Sequence, residues 1–422
     1  MPSLKNGLTI LDSKRLTQGN ELYILTIVAI LPALSRHVWS PNTMLPIDII
    51  LDHTSICNLT TERDILNKAI ENGEHIVIFG RRNTGKTSLV KGVCVPKFLA
   101  KSKKSVAIEA DFLGVDSIEE VQTRLRIALE RGLSRSFPKK QGAIKLVSTL
   151  AKLRPRLELE AMTGNIEFKF ATDDQSSDSL RLEHYFDEIA RLATQYDMLL
   201  VMDEFQDLDF IKGAVARIRT CLQGISSKLP IIVLGSKKHL LAHIFAAHRA
   251  PMANWGKDLE ISPVISQTYQ DEYFSYASRY FAAENLALDK EQFTELCQRT
   301  QGIPESINIV LNHCLSKGKS LSPQDLATDT AIHLTLLDKS SRFEEILSRF
   351  SPNERQLLAA IAKFQPIAQL KAKTFLAHIR GMAPTSITTA AKKLEDKAEI
   401  YKEKLGYVIG DPLLGEYLKS TR

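Results

Sequence analysis

The sequence predicts an α/β fold in which helices cover both faces of a parallel sheet, followed by an all-helical lid and a winged-helix domain. Over residues 55–268, short apolar runs typical of buried strands alternate with amphipathic helices, which indicates crossover connections and hence parallel strands. From Gln270 to about Leu337 the pattern is helical throughout, and Phe343–Tyr417 alternates short helices before a final hairpin. These changes of pattern divide the chain into residues 1–54 (an extension of uncertain status), 55–268, 269–337 and 338–422.

The composition is that of an ordinary globular protein. Hydrophobic residues make up 44% and charged residues 25% of the 422 residues, which argues against wholesale disorder. The five cysteines are scattered and never spaced as CxxC, so we expect neither a disulfide framework nor a zinc site, and we expect a reducing, cytoplasmic location. Most of the net charge of +6 lies after residue 330, where fifteen Lys or Arg face ten Asp or Glu. The C-terminal region therefore favours an acidic partner.

The apolar segment Leu22–Leu34 near the N-terminus does not predict a membrane anchor. Charged Glu21 and Arg36 bracket it, and a membrane-spanning helix needs about 20 residues. No small-residue cleavage site follows, as a signal peptide would require. We therefore expect no membrane association. Met44 is an alternative start of translation, and no function is assigned to residues 1–43.

The predicted sheet can be followed element by element along residues 55–268. Before an insertion, the elements are helix Thr60–Glu74, strand His75–Phe79, a helix opening at NTGKTSLV, strand Lys104–Phe112 and a helix after Ser117, which with Glu120 resembles a capping box. Residues 134–179 are basic, then strand-like over NIEFKFA, then polar, and are interpreted as an insertion decorating the core. After it come helix RLEHYFDEIARLATQ, strand MLLVMDEF, helix IKGAVARIRTCLQG, strand PIIVLGS, helix KHLLAHIFAAH and the short strand KDLEISPV.

The segment GRRNTGKT after the first strand fits the pattern GxxxxGK[ST] of a phosphate-binding loop, the P-loop. Glycines let the backbone wrap so that its N–H groups face phosphates, at a helix N-terminus whose dipole favours anions. Lys86 is expected to reach the β- and γ-phosphates, and Thr87 to coordinate Mg²⁺. The predicted nucleotide-binding residues of this segment are Gly80, Arg81, Arg82, Asn83, Thr84, Gly85, Lys86, Thr87 and Ser88. For Arg81 and Arg82 the alternative to a phosphate contact is that they hold the lid or the winged helix in one nucleotide state.

Two adjacent acids end the apolar strand MLLVMDEF. The carboxyl end of a parallel strand would bring them to the P-loop, where Asp203 is expected to hold Mg²⁺ and Glu204 to act as general base on the attacking water. Buried carboxylates without partners are costly, so a metal and a water are their natural explanation. The alternative is a strand end capped by exposed acids.

Two further residues are candidates for catalysis. Ser236 ends another apolar strand and could sense the γ-phosphate, although it could equally cap the helix that follows. Arg249 lies at the end of that helix, where ring-forming ATPases place an arginine finger that acts on a neighbouring subunit. An exposed, solvated arginine is the alternative for Arg249. Lys237 and Lys238 are expected at the surface.

The chain resembles prokaryotic (archaeal-type) AAA-like P-loop ATPases related to the STAND nucleotide switches. The resemblance lies in five segments that follow one another in the family's order: RRNTGKTSL, LLVMDEFQDL, IIVLGSKKHLLAHIF, RAP and GIPESI. The similarity spans roughly Ile56 to the C-terminus, and the first two segments are its specific part. The family's GxP motif contacts adenine from the helical lid, so the resemblance implies such a contact for Pro304. A proline at the first position of a helix explains the same residue structurally. Glu305 stands where related ATPases often carry a second sensor arginine, which favours slow, switch-like turnover over a fast ring motor.

The C-terminal region predicts a winged helix of three helices and a hairpin. The helices are expected in SPNERQLLAAIAKF, AQLKAKTFLAHIRG and APTSITTAAKKLEDKAEI, and the hairpin in IYKEKLGYVIGDPLL. The small hydroxyl side chains and lysines of the third helix suit a recognition helix in the major groove of DNA, and the hairpin lysines suit contacts with DNA phosphates. The alternative is a winged helix that serves as a protein-contact or autoinhibitory module. The candidate DNA-binding residues are Ser386, Thr388, Thr389, Lys392, Lys393, Lys402 and Lys404.

The first functional hypothesis is a Mg²⁺-dependent ATPase that acts as a conformational switch. The alternative is a DNA-bound ATPase in replication, mobile-element or defence functions, with the winged helix as its tether. A small-molecule kinase is least favoured, because the sequence shows no second compact substrate domain. The expected partners are ATP and ADP, with duplex DNA, a protein partner and further copies of the chain left open.

Overall fold

Five parallel strands form the central sheet of the computed structural model. They are β1 His75–Phe79, β2 Ser105–Asp111, β5 Asp197–Asp203, β6 Ile231–Gly235 and β7 Lys257–Glu260. Their spatial order is β2-β5-β6-β1-β7. In this order β6 separates the P-loop strand β1 from the acidic strand β5, and because the strands are parallel, their carboxyl ends lie at the same edge of the sheet. The structure describes residues 44–137, 157–162, 165–170, 182–225, 229–246, 250–264, 266–379 and 381–421.

Helices cover both faces of this sheet, which explains why its central strands are apolar on both sides; β6 is buried at every position. The helices are α1 Thr60–Asn72, a π-helical segment Ser88–Cys94 continuing into α2 Val95–Lys101, α3 Ile118–Ser136, α4 Leu182–Leu192, a 3₁₀-helix Phe205–Phe210, α5 Ala214–Gln223 and α6 Lys238–Phe245. One apolar cluster joins the sheet to α1 and the helix after the P-loop, and another joins it to α3, α4, α5 and α6. The predicted α/β architecture is confirmed.

Part of the predicted insertion forms an antiparallel hairpin. Its strands are β3 Leu157–Met162 and β4 Asn165–Phe170, and the strand expected over NIEFKFA is confirmed. The predicted Ser117 cap also forms, since Ser117 Oγ accepts the N–H of Glu120 over 3.4 Å.

The lid is built of helices, as expected, with isolated backbone bridges that join Leu288, Leu321 and Leu326 between them. It consists of α7 Gln267–Ala283, α8 Lys290–Arg299, α9 Pro304–Ser316 and α10 Thr328–Asp338. One apolar core runs from the lid into the C-terminal domain and includes Phe281, Leu336, Phe343 and Leu414. Arg299 at the end of α8 strengthens this junction, because its Nε donates to Glu416 Oε2 over 2.8 Å. The lid and the winged helix are thus packed as one body.

The C-terminal domain has the expected hairpin but a shorter second helix. Its elements are α11 Ser340–Ser348, α12 Pro352–Phe364, α13 Lys373–Leu376, α14 Pro384–Asp396, β8 Ile400–Lys402, β9 Tyr407–Ile409 and α15 Pro412–Ser420. The helix predicted over AQLKAKTFLAHIRG is confined to α13. Ile367, just before that stretch, is instead extended: it exchanges backbone hydrogen bonds of 3.0 and 2.8 Å with Tyr407 of the hairpin. The capping box of Ser351 and Glu354 at the start of α12 is complete.

Residues 44–51 form a strap that connects the lid to the helix after the P-loop. Leu45 is buried in the lid core, and its backbone N–H and C=O pair with the Asn312 side chain over 2.7 and 2.8 Å. At the other end, the Leu51 N–H donates to Ser88 Oγ over 3.1 Å. A Cβ on Gly92 would lie 1.8 Å from the Leu51 carbonyl oxygen, so only glycine allows this contact. Within the described part of the chain, no helix combines the length and apolar character needed to cross a membrane.

Candidate nucleotide site

The P-loop links β1 to the helix behind it in a conformation that depends on its small residues. Gly85 has φ of 92° and Asn83 has φ of 62°, both in the left-handed region, which glycine and asparagine tolerate best. A Cβ on Gly80 would lie 2.3 Å from the Ile261 carbonyl oxygen. Thr84 Oγ1 donates to the Arg81 carbonyl oxygen over 2.9 Å and braces the turn. The loop is therefore a tight backbone cradle at the edge of the sheet.

Lys86 is buried and folded back over this cradle. Its Nζ donates to the carbonyl oxygens of Gly80 and Arg81 over 3.0 and 2.6 Å. Burial lowers the pKa of Lys86 to about 8, although the nearby Glu204 and Asp203 charges oppose the change. Its ammonium thus lies in the cradle and is held by neutral acceptors that a phosphate can replace.

Asp203 and Thr87 are brought together as predicted for a metal site. Thr87 Oγ1 donates to Asp203 Oδ2 over 3.3 Å, and Asp203 is only 4% exposed. Two ligand oxygens of an octahedral Mg²⁺ lie about 2.9 Å apart, so the hydroxyl and the carboxylate fit such an ion with a small adjustment. Lys91 also contacts this carboxylate, with Nζ 2.7 Å from Asp203 Oδ2. Sequence reasoning did not predict the Lys91 contact.

Glu204 follows Asp203 in a left-handed conformation, with φ of 49°. Ser236 Oγ donates to Glu204 Oε2 over 3.0 Å, and Gln206 Nε2 donates to the same oxygen. Gln206 is fully buried, so it is a fixed support. In the described chain no hydrogen bond reaches Glu204 Oε1, and one oxygen remains available to a water.

Of the two roles considered for Ser236, the helix cap is wrong, because the residue flanking helix α6 is Lys237 and no side chain caps that end. Ser236 Oγ contacts Glu204 instead, and its sensing of a γ-phosphate stays a prediction. The surface location expected for Lys237 is wrong. Lys237 is 7% exposed and pairs with Asp207 over 2.9 Å, while Asp207 also accepts the Gly114 N–H over 2.9 Å. The contacts of Asp207 with Lys237 and with the Gly114 N–H connect the ends of β2, β5 and β6. Lys238 is exposed, as expected.

The lid meets the P-loop through the start of α9. Pro304 occupies the first turn of this helix, which confirms its structural role, and Gly302 before it has φ of 65°. A Cβ on Gly302 would come within 2.7 Å of the Val264 carbonyl oxygen. Asn83 Nδ2 donates to Glu305 Oε2, so the residue at the expected sensor-arginine position contacts the loop through a carboxylate. Burial raises the pKa of Glu305, and the Asp411 charge raises it further.

The Arg81 side chain leaves the P-loop and reaches the hairpin of the C-terminal domain. Its Nη2 donates to the carbonyl oxygens of Ile409 and Gly410 over 2.8 and 3.1 Å. Its Nη1 donates to Gln301 Oε1 in the lid over 2.8 Å and pairs with Glu403 Oε1 at 3.3 Å. One P-loop side chain therefore joins the core, the lid and the hairpin.

Tyr401 of β8 completes this contact. The Arg81 guanidinium carbon lies 5.3 Å from the centre of the Tyr401 ring, a cation–π geometry. The Tyr401 hydroxyl accepts the backbone N–H of Arg82 over 3.4 Å, whereas the Arg82 side chain is exposed. The two consecutive arginines therefore differ: Arg81 is buried against the hairpin and Arg82 points to solvent.

Comparison with known proteins identifies the fold. A family model described as a probable winged helix domain matches residues 341–420. A Walker-type ATPase of Pyrococcus abyssi is 20% identical with a TM-score of 0.60, over 89% of this chain and 99% of that chain. The chain has the P-loop ATPase fold with a C-terminal winged-helix domain. The ORC1 protein of Aeropyrum pernix in complex with DNA is 10% identical with a TM-score of 0.46, over 90% of this chain and 96% of that chain. A search of curated proteins finds no match.

The candidate DNA-binding residues of this P-loop ATPase fold lie on α14 and on the hairpin β8–β9. Thr388, Thr389, Lys392 and Lys393 are exposed on α14, and Ser386 is half-buried. The hydroxyls of Thr388 and Thr389 donate to backbone carbonyls one turn earlier, over 2.9 and 3.1 Å. In the hairpin, Lys402 and Lys404 are exposed. Arg249, the candidate arginine finger, lies outside the described residues.

Four residues of the site were missed as functional candidates. Lys91 follows Thr87 by four positions, so helical spacing could have placed both on one face of the helix. Gln206 stands two residues after Glu204, and an amide so close to the predicted general base could have been considered as a residue that supports it. Tyr401 and Lys237 gave no local signal, because their partners depend on the packing of distant segments.

Proposed function

We propose that the protein is a Mg²⁺-dependent ATPase that acts as a conformational switch, as the STAND-like resemblance implies. The observation that carries the proposal is the Arg81 contact, because it connects a phosphate-binding loop directly to the winged helix. A nucleotide bound at the loop and the position of the hairpin would then influence each other through one side chain.

ATP would bind with its phosphates in the cradle of Gly80 to Ser88, and its adenine near Pro304 at the core–lid boundary. Lys86 would exchange the carbonyls of Gly80 and Arg81 for phosphate oxygens, a charge-assisted and therefore stronger interaction. Thr87 and Asp203 would hold Mg²⁺, whose positive charge stabilises the phosphate oxygens.

Hydrolysis would use Glu204 as the base. Glu204 Oε1 would accept the proton of a water whose oxygen attacks the γ-phosphorus, and the bond to the β-phosphate oxygen would break to give ADP and phosphate. Ser236 and Gln206 would keep the carboxylate oriented by holding Oε2. Glu305 at the sensor position offers no positive charge to the phosphates, which supports slow turnover.

The switch would operate through a change of partners at Arg81. The hairpin offers this guanidinium two carbonyls and the half-exposed Glu403, and Arg81 Nε is buried without a hydrogen-bond partner among the described residues. A polyphosphate bound to the same loop presents more negative charge than these carbonyls. ATP binding would therefore draw Arg81 from the hairpin and loosen the winged helix.

Replacing Arg81 by Ala should release the hairpin without nucleotide. We expect amide hydrogen exchange of residues 400–410 to accelerate at least about tenfold in nucleotide-free Arg81→Ala, and to accelerate in the unchanged protein only when a non-hydrolysable ATP analogue is added. Arg82→Ala is the matched control for hairpin exchange, because it removes the same charge from an exposed side chain. Exchange that is equal in Arg81→Ala and Arg82→Ala would refute the coupling.

A DNA-bound ATPase is the second candidate function, supported by the exposed lysines and hydroxyls of α14 in a winged-helix domain. Replacing Lys392 and Lys393 by Ala should weaken binding of a labelled duplex and lower the salt dependence of the binding constant by about two counterions. Lys317→Ala/Lys319→Ala removes two exposed lid lysines and should leave duplex binding unchanged. No duplex binding at low salt would exclude this function.

A further inference from the structure

Both oxygens of the Asp203 carboxylate have donors from the protein itself. Its Oδ1 accepts the N–H of Glu204 over 3.0 Å, and its Oδ2 accepts Thr87 Oγ1 over 3.3 Å and the Lys91 ammonium over 2.7 Å. The charge partner of this buried acid is therefore a lysine. The Asp203 carboxylate, which is predicted to bind Mg²⁺, is thus already neutralised by the Lys91 ammonium.

The position of Lys91 follows from the helix that the P-loop opens. It lies four residues after Thr87, within the π-helical segment Ser88–Cys94, so its side chain extends back toward the carboxyl end of β5. Its side chain is only 14% exposed. Burying an ammonium is costly unless a charge partner is present, so a buried Lys91 must stay paired with a carboxylate.

A second carboxylate stands beside the first. Asp111 ends β2 and pairs in register with Asp203 at the end of β5, because the two strands are adjacent and parallel. Asp111 Oδ2 lies 3.7 Å from Lys91 Nζ, and its side chain is 47% exposed. Lys91 can therefore move from one carboxylate to the next by a rotation of its side chain, without becoming unpaired.

We propose that Lys91 is a built-in cation that occupies the metal carboxylate of the nucleotide-free protein and moves to Asp111 when Mg²⁺ enters with the nucleotide. The proposal rests on the metal site of the proposed function. Two cations cannot share Asp203 Oδ2 at bonding distance, because the repulsion between a monovalent and a divalent charge at such short range is large. The nucleotide-free protein should consequently have little affinity for divalent cations.

The test measures Mn²⁺ binding to the full chain without nucleotide, by the loss of the free-ion electron paramagnetic resonance signal. The unchanged protein should show no stoichiometric site, whereas Lys91→Met should gain one site that binds at least about tenfold more tightly, since the buried Asp203 is left without a cation. Lys91→Arg keeps the charge and should resemble the unchanged protein. Adding Asp203→Asn to Lys91→Met should remove the new site.

The proposal would be overturned if Lys91→Met bound Mn²⁺ no better than the unchanged protein. A stoichiometric, tight Mn²⁺ site in the unchanged protein would overturn it as well. Lys91→Gln repeats the measurement with a polar side chain if the methionine variant does not fold, as judged by its thermal transition. The readout needs no ATP turnover. An absence of hydrolysis alongside the gained Mn²⁺ site would refute the proposed function and leave the role of Lys91 intact.

Discussion

Glu204→Gln is expected to stop ATP hydrolysis and leave ATP bound. The amide keeps the shape of the side chain and can still contact Ser236 and Gln206, but it cannot accept the proton of the attacking water. We expect single-turnover hydrolysis to fall about 10²- to 10⁴-fold, the usual contribution of a positioned general base. ATP affinity measured by calorimetry should change little, so the variant should accumulate as the ATP complex.

Glu260→Gln is a suitable control for this experiment. Glu260 ends β7 at the same edge of the sheet, is exposed and pairs with Lys238 over 2.9 Å, so it reproduces the charge change outside the site. It should hydrolyse ATP at the rate of the unchanged protein. Normal hydrolysis by Glu204→Gln would mean that Glu204 is not the base and that the donors on Oε2 serve only the fold.

Lys86→Met should lose nucleotide binding. The side chain keeps its length but offers no ammonium to the β- and γ-phosphates, and charge-assisted contacts of this kind account for much of the affinity of a phosphate site. We expect the dissociation constants for ATP and ADP to rise at least about a hundredfold in calorimetry. Lys97→Met, on the exposed side of α2, removes a lysine nearby and should bind as the unchanged protein does.

A pH effect accompanies this lysine. Because the pKa of Lys86 is lowered to about 8, much of the population is neutral above that pH in the nucleotide-free protein. Phosphates favour the charged form, so ATP binding at pH 8.5 should take up a proton, and affinity should fall as the pH rises past 8. Calorimetry in two buffers of different ionisation enthalpy measures this uptake. Equal apparent enthalpies in both buffers would contradict it.

Much of the core and its site could be predicted from the sequence because the signals are local. The strand His75–Phe79, the glycines of the loop and the Asp203–Glu204 pair each follow from a few consecutive residues. Parallel strands then bring their carboxyl ends to one edge, so the P-loop and the acids meet without further information. The contact between Thr87 and Asp203 is a consequence of these two facts.

The remaining contacts depend on how distant segments pack. Arg81 finds its partners more than two hundred residues away, in the lid and the hairpin, and no local pattern specifies them. Lys237 was expected at the surface because two lysines at the start of a helix are usually solvated. It is buried instead, in an ion pair with Asp207, which follows another strand. The second helix of the winged helix is shorter than predicted, and the residue before the predicted stretch, Ile367, is extended and bonds to the distant hairpin.

The common core of the lid and the winged helix limits what can move. Phe343, Leu336 and Leu414 belong to one cluster, so separating these regions would expose a large apolar surface to water. A displacement that starts where the Gly302 backbone touches Val264 must therefore turn both regions together, as a rigid lever. The outer end of a lever travels farther than the end near its pivot. A shift of about one ångström beside the P-loop would thus become a larger displacement at α14, and would change the position of that helix relative to any molecule bound there.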